Sequence, residues 1–152
     1  IHDSTFRGRY LGALLEETTL APSNIVLEVT ETLAIQVYER FHEALTALRS
    51  AGVAIAIDDA GTGYASLDMI VKLRPNYIKI DMPLIRGVES NPVKQEIVRS
   101  LKAIAQTLDA RLIAEGIETL QELTTLRDLG VHYGQGYLIA RPGPAFPSVA
   151  LT

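Results

Sequence analysis

The stretch AIAIDDAGTGYASL, from Ala54 to Leu67, ends an apolar run in two adjacent aspartates followed by two glycines. A strand that only filled a core would end in turn residues. Adjacent carboxylates repel each other unless a cation or water compensates their charge. The stretch therefore predicts a buried strand that delivers Asp58 and Asp59 to a polar site, followed by a flexible loop at Gly61 and Gly63.

Short apolar segments alternate with longer amphipathic segments along the chain. Segments rich in Val, Ile and Tyr predict strands over residues 24–31, 52–59, 75–81, 110–116 and 130–137. Apolar spacings of three to four residues predict helices over residues 37–48, 93–108 and 119–129, the second with the stripe Ile97, Leu101, Ile104 and Leu108. Alternating strands and helices favour parallel strands with right-handed crossovers, an α/β fold.

Polar residues gather at the carboxyl ends of the predicted strands: Glu28, Asp58, Asp59, Lys79, Glu115 and Gln135. In a barrel of parallel strands these ends form one rim where catalytic groups converge. A doubly wound open sheet, the competing architecture, concentrates its site at one switch point. We therefore predict a TIM-type (β/α)8 barrel, incomplete here, because a closed barrel needs about eight strands and about 250 residues.

Composition narrows the functional classes. The absence of cysteine excludes disulfides, thiol catalysis and cysteine metal sites, and fits a reducing compartment. A formal charge of -4 with acids and bases intermixed argues against a partner that is a nucleic acid polymer. The sequence has no apolar run of membrane-spanning length and no signal-peptide pattern, so we expect a cytoplasmic protein.

The acidic residues of the rim suggest a metal site built from oxygen ligands. Glu28, Asp58, Asp59 and Glu115 suit hard cations such as magnesium, manganese or calcium. Two such ions about 3.5 to 4 Å apart are one known solution for phosphate ester hydrolysis. Lys79 would add positive charge for phosphate oxygens or orient the attacking water.

Five motifs in this order and spacing resemble the EAL-domain family: LEVTE (27–31), DDAGTGYASL (58–67), YIKID (77–81), AEGIET (114–119) and QGY (135–137). The resemblance runs from about residue 6 to residue 142. The family comprises bacterial phosphodiesterases that hydrolyse cyclic di-GMP to the linear dinucleotide pGpG. The resemblance thus implies a cyclic di-GMP phosphodiesterase with a barrel fold and a site for two magnesium or manganese ions.

The resemblance also implies a role for each matching residue. Glu28 and Asp58 would ligate the first metal and Asp59 the second. Lys79 would position or activate the nucleophilic water, and Glu115 and Gln135 would complete the metal and water site. Two further glutamates would act indirectly, Glu31 by anchoring the loop after the paired aspartates and Glu118 by supporting the surroundings of the site.

Two departures from the family's pattern are visible. The loop usually reads Asp-Asp-Phe-Gly, whereas Ala60 stands in the third place here. The signature strand with its Glu-Ala-Leu motif, and an asparagine ligand, belong to earlier strands of the barrel that we do not find. We therefore expect residues 1–152 to be the C-terminal three-fifths of one EAL domain, inactive and poorly stable alone because barrel edges are left open.

Several alternatives remain open from the sequence. The domain could bind cyclic di-GMP as a receptor without cleaving it, or belong to another class of metal-dependent barrel enzyme, such as an enolase-like proton abstractor. The resemblance is also compatible with a homodimer, with sensory or cyclase domains upstream, and with a parent protein tethered to a membrane.

Overall fold

The structure is a computed structural model that describes residues 20–30, 45–60 and 64–143. Glu31, Gly61 and Gly63 lie outside the described residues, as does most of the helix predicted over residues 37–48. Residues 45–50 are helical. The turn that follows them ends at Gly52, whose φ of +99° favours glycine.

Five parallel strands form one sheet: β1 (Val26–Val29), β2 (Ala54–Ala60), β3 (Tyr77–Ile80), β4 (Arg111–Ala114) and β5 (Tyr133–Gly134). Their spatial order is the order of the sequence, β1-β2-β3-β4-β5. A doubly wound sheet reverses direction at its switch point, whereas a barrel adds each strand beside the previous one. The described strands therefore form an arc of an α/β barrel, as predicted.

Helices connect consecutive strands: α1 (Tyr64–Leu73) follows β2, α2 (Met82–Ile85) and α3 (Pro92–Leu108) follow β3, and α4 (Leu120–Asp128) follows β4. A 3₁₀ turn, Val88–Ser90, lies between α2 and α3, and another, Pro22–Asn24, precedes β1. The predictions of α3 and α4 are confirmed within one residue at each end. Helices α1 and α2 were not predicted from the sequence; α1 begins at Tyr64, directly after the predicted glycine loop.

Local signals explain where the correctly predicted helices begin. The side chain of Asn91 accepts hydrogen bonds from the N–H groups of Val93 and Lys94, and Pro92 supplies the first residue of α3. Thr119 and Glu122 form a reciprocal capping box at α4. These short-range patterns are readable from sequence because each joins residues three or fewer positions apart.

The core lies between the sheet and the helices. The strands supply five of its large, fully buried side chains, Ile55, Ile57, Ile78, Ile80 and Leu112, and helices α1, α2 and α4 supply Ile70, Ile85 and Leu126. Helix α3 buries Val98, Leu101 and Ala105. Of the predicted stripe on α3, Leu101 is buried and Ile104 and Leu108 pack against the core, whereas Ile97 is 36% exposed. None of the helices in the described ranges is long and apolar enough to cross a membrane.

Candidate active site

An irregularity in β2 brings its two aspartates to the same place. The register shifts between Ile57 and Ala60, where three steps along β2 match two along β3. Asp59 adopts a left-handed conformation with φ of +59°, which is uncommon for a residue other than glycine. Side chains of a regular strand alternate between faces, and a bulge interrupts this alternation. Asp58 and Asp59 can therefore both contribute to one site.

Lys79 on β3 lies at the centre of the predicted rim. Its Nζ atom is 2.7 Å from Glu115 Oε1, 2.9 Å from Asp58 Oδ1 and 3.0 Å from Glu28 Oε2. The lysine is only 7% exposed. Side chains from the carboxyl ends of β1, β2, β3 and β4 thus meet around one ammonium group, as the sequence predicted for this end of the sheet.

The charges in this cluster do not balance. Burial lowers the pKa of Lys79, but its contacts with Glu115, Asp58 and Glu28 outweigh burial and raise the pKa well above its usual value. The ammonium group therefore stays charged. Burial raises the pKa of Glu115, and the neighbouring carboxylates of Asp58 and Glu28 reinforce that rise against the opposing effect of Lys79. One cation thus faces three carboxylates.

Glu115 and Gln135 lie just beyond β4 and β5. Gln135 Nε2 donates a hydrogen bond to Glu115 Oε1 over 2.9 Å. The backbone on either side is close-packed: a Cβ atom at Gly136 would approach the backbone of Ile117 to 2.2 Å. Gly136 also has a φ of +156°, so only glycine fits beside Gln135.

The acidic cluster fits a divalent cation. Among the described residues, Asp58, Asp59 and Glu115 each offer one carboxylate oxygen within 4.8 Å of the others. Although Lys79 Nζ lies 2.9 Å from Asp58 Oδ1, this buried oxygen receives no properly aligned hydrogen bond from a described residue. A buried carboxylate oxygen without an aligned donor is suited to a metal ligand. Glu28, predicted as a ligand, contacts Lys79 but does not belong to this group of three.

The observed contacts of Glu118 are with groups outside the Lys79 cluster. Its carboxylate pairs with Arg86, and its backbone N–H donates to Glu122 Oε2 over 2.9 Å. Its predicted supporting role therefore remains a prediction. Glu31 lies outside the described residues, so its predicted anchoring role remains a prediction as well.

Ala60, the departure in the aspartate loop, is part of the sheet. It is fully buried and pairs with Ile80 of β3. The letters Glu-Ala-Leu also occur at residues 43–45. Of these three residues the structure describes Leu45, which belongs to a helical segment and is buried in the core.

Arg86 and Glu122 near the rim were not singled out from the sequence. Glu122 is 3% exposed, and its carboxylate is 3.6 Å from Arg86. Burial raises the pKa of Glu122, but hydrogen bonds from the backbone of Glu118, Thr119 and Gly87 outweigh burial and lower it. The capping-box pattern could have located Glu122; its contacts with the preceding loop are long-range and leave no local signal.

Chemically, the rim combines oxygen ligands for a cation with a fixed positive charge. Such an arrangement can bind an anionic ester and place a polarised water beside it. The ammonium group of Lys79 supplies a positively charged hydrogen-bond donor beside these carboxylates.

Comparison with known proteins shows the family of this chain. Residues 1–142 match the EAL domain family. The cyclic di-GMP phosphodiesterase RocR of Pseudomonas aeruginosa is 36% identical over 148 residues, which are 95% of this chain and 38% of RocR. The chain thus spans about two-fifths of the length of that relative.

Solved structures show the same fold. The manganese and cyclic di-GMP complex of Klebsiella pneumoniae BlrP1 has a TM-score of 0.84 and 37% identity, covering 90% of this chain and 36% of that one. The EAL domain of Mycobacterium smegmatis DcpA has a TM-score of 0.82 and 35% identity, covering 89% of this chain and 60% of that one.

Proposed function

The chain belongs to the EAL-domain family, and we propose that its rim is part of a phosphodiesterase site that hydrolyses cyclic di-GMP to linear pGpG. The observation that carries this proposal is the convergence of Asp58, Asp59 and Glu115 on one position beside the charged Lys79. RocR, a relative at 36% identity, is a cyclic di-GMP phosphodiesterase. BlrP1 has been solved with cyclic di-GMP and manganese.

We propose magnesium or manganese as the cofactor, held by Glu28, Asp58, Asp59 and Glu115. A pair of such ions supplies Lewis-acid activation of water and stabilises the leaving oxygen. The acceptor atoms fit, since they are all carboxylate oxygens and Asp58 Oδ1 has no aligned donor.

Lys79 would act as the fixed cation of the site. Its ammonium group, held charged between Glu115 and Asp58, can donate to the attacking water or to a nonbridging phosphate oxygen. Gln135 would hold Glu115 in place through its hydrogen bond. In the net reaction, water adds to phosphorus and one ring P–O bond breaks, leaving a 5′-phosphate and a 3′-hydroxyl group on the linear product.

We further propose that the 152 residues alone do not turn over the dinucleotide. The family resemblance puts a glutamate ligand and an asparagine ligand on strands that the sequence does not contain. In the complete protein we expect a cytoplasmic catalytic domain, with a homodimeric assembly and upstream sensory or cyclase domains as further proposals. The 38% coverage of RocR is consistent with such additional segments.

The test is an assay of the full-length protein that carries this sequence, with cyclic di-GMP and manganese and with chromatographic detection of pGpG. Asp58→Asn should abolish product formation. Asp128→Asn, an exposed aspartate paired with Arg127 on α4, is the matched control and should retain activity. Binding of cyclic di-GMP without product in the unaltered protein would refute hydrolysis and indicate a receptor.

A further inference from the structure

Glu122 joins two neighbouring loops at the rim. Its Oε1 atom accepts the N–H of Gly87, in the loop after β3, over 3.3 Å. Its Oε2 atom accepts the N–H groups of Glu118 and Thr119, in the loop after β4, over 2.9 and 3.1 Å. Arg86, beside Gly87, adds a charge 3.6 Å from the same carboxylate. One buried side chain therefore holds both loops together.

These two loops follow the strand ends at which Lys79 and Glu115 lie. Lys79 is the penultimate residue of β3, and Glu115 is the first residue after β4. The strand ladder ends with the pair Ile80 and Ala114, after which only the N–H of Glu115 continues the pattern, donating to Ile80 O over 3.1 Å. The backbone then turns at Gly116, whose φ is +68°. The direction of the Glu115 side chain thus depends on the path of its loop.

A second contact shows how closely the loops approach each other. A Cβ atom at Gly116 would lie 2.8 Å from Cγ of Met82, a residue of α2 in the loop after β3. The side chain of Met82 thus packs directly over Gly116, which has no side chain of its own, so a shift of one loop is transmitted to the other through this contact.

We propose that Glu122 is a positioning residue for the metal site, acting through these loops to hold Glu115 against Lys79 and the aspartates. This inference rests on the proposed function. Residues that orient metal ligands indirectly commonly affect metal affinity without touching the ion.

A purely structural role makes a different prediction. Glu122 and Thr119 form a capping box, in which Thr119 Oγ1 accepts the N–H of Glu122 over 3.1 Å. If capping of α4 were the whole role of Glu122, its loss would lower stability and leave the metal site unchanged.

Two substitutions separate these roles. In Glu122→Gln, the remaining carbonyl oxygen can keep the hydrogen bonds from Glu118 and Thr119, but the amide nitrogen then faces the N–H of Gly87, another donor. This variant keeps the cap and breaks the link between loops. Thr119→Ala does the reverse, because it removes one half of the capping box and leaves the link intact.

The experiment measures the affinity of the full-length protein for Mn²⁺ by electron paramagnetic resonance of the unbound ion, together with the melting temperature. Glu122→Gln should weaken Mn²⁺ binding about tenfold. Thr119→Ala should lower the melting temperature and leave Mn²⁺ affinity within about twofold of the unaltered protein. Glu122→Asp keeps the charge, but its side chain is one methylene shorter and cannot reach both loops; it should weaken binding in the same direction and serves if Glu122→Gln does not fold.

The outcomes distinguish the inference from its premise. Unchanged affinity in Glu122→Gln, or equal losses in Glu122→Gln and Thr119→Ala, overturns the positioning role alone. Absence of Mn²⁺ binding in the unaltered protein overturns the proposed metal site, and the inference with it.

Discussion

The two buried charged side chains among the described residues, Lys79 and Glu122, have opposite surroundings. Lys79 is one cation among three carboxylates, one of which keeps a buried oxygen without an aligned donor. Glu122 is one anion that accepts three backbone N–H groups and lies near one arginine. The donors around Glu122 satisfy its carboxylate, with Arg86 shared between Glu122 and Glu118, whereas three carboxylates share the single cation Lys79.

This difference shows how burial should be used as a sign of function. A buried charge with a full set of partners is explained by the fold alone. A buried charge surrounded by an excess of the opposite sign is not, because the excess costs stability unless a ligand compensates it. The negative excess around Lys79 therefore indicates a cation site.

The largest effect should come from removing the central cation. Lys79→Met should lower turnover of cyclic di-GMP about 100- to 1000-fold, as when a donor aimed at developing charge is lost. Lys72→Met, which alters an exposed lysine paired with Asp68, is the control. The measurement is the rate of pGpG formation, and a rate close to that of the control would contradict the proposed role of Lys79.

The cluster around Glu122 should lose stability when its carboxylate is removed. Glu122→Ala leaves the N–H groups of Gly87, Glu118 and Thr119 without their acceptor, which should cost about 2 kcal/mol of unfolding free energy. Denaturant unfolding at neutral pH with a chelator measures this loss. An unchanged free energy would show that Glu122 does not hold the loops.

The cluster around Lys79 has an excess of negative charge, so neutralising one of its carboxylates should raise the free energy of unfolding. Asp58→Asn removes one of the excess charges, so in the presence of a chelator it should raise the free energy of unfolding by about 1 kcal/mol. The same variant should be inactive. A clear loss of stability would mean that the carboxylate of Asp58 is a required partner of Lys79, and the contrast with Glu122 would fail.

The smallest effect concerns His132, which precedes β5 at the other end of the sheet. Burial lowers its pKa, reinforced by the charges of Lys102 and Arg111. Protons therefore bind the unfolded chain first as pH falls below about 6.5, and stability contributed by the neutral ring is lost between that pH and the lower folded pKa. Above a pH of about 6.5 the ring is neutral in both the folded and the unfolded chain, so it adds no pH dependence to the stability.

Unfolding measured at pH 7.5 and at pH 5 tests this expectation in the unaltered protein and in His132→Asn. The asparagine keeps an acceptor for the N–H of Leu112, which donates to His132 Nδ1 over 2.9 Å. The variant should lose less stability between the two pH values than the unaltered protein. Equal losses would assign the pH dependence to other groups.

Sequence was sufficient where the determinants are local. Apolar runs located the strands that carry Asp58 and Lys79 and the strand that ends just before Glu115, and their shared direction predicted the common rim. The last strand was predicted over residues 130–137 but covers only Tyr133–Gly134. Its chain turns at Gly136, where contact with Ile117 decides the backbone path.

Other features depend on partners distant in sequence. The bulge at Asp59 is defined by pairing with β3, and the importance of Glu122 is defined by Gly87, 35 residues away. Helix α1 was not predicted because Gly61 and Gly63, directly before it, favour a loop and its first turn has no capping pattern of its own. Neither periodicity nor capping patterns contain such long-range information.

The extra residue of the bulge in β2, Asp59, is encoded by a single codon. An in-frame deletion of the single codon for Asp59 would remove the extra residue and allow β2 to pair regularly with β3. It would also remove the left-handed residue, so the shortened strand would be less strained. Selection for stability alone would accept that deletion, and persistence of the extra codon through descent would be the mark of selection for the second carboxylate.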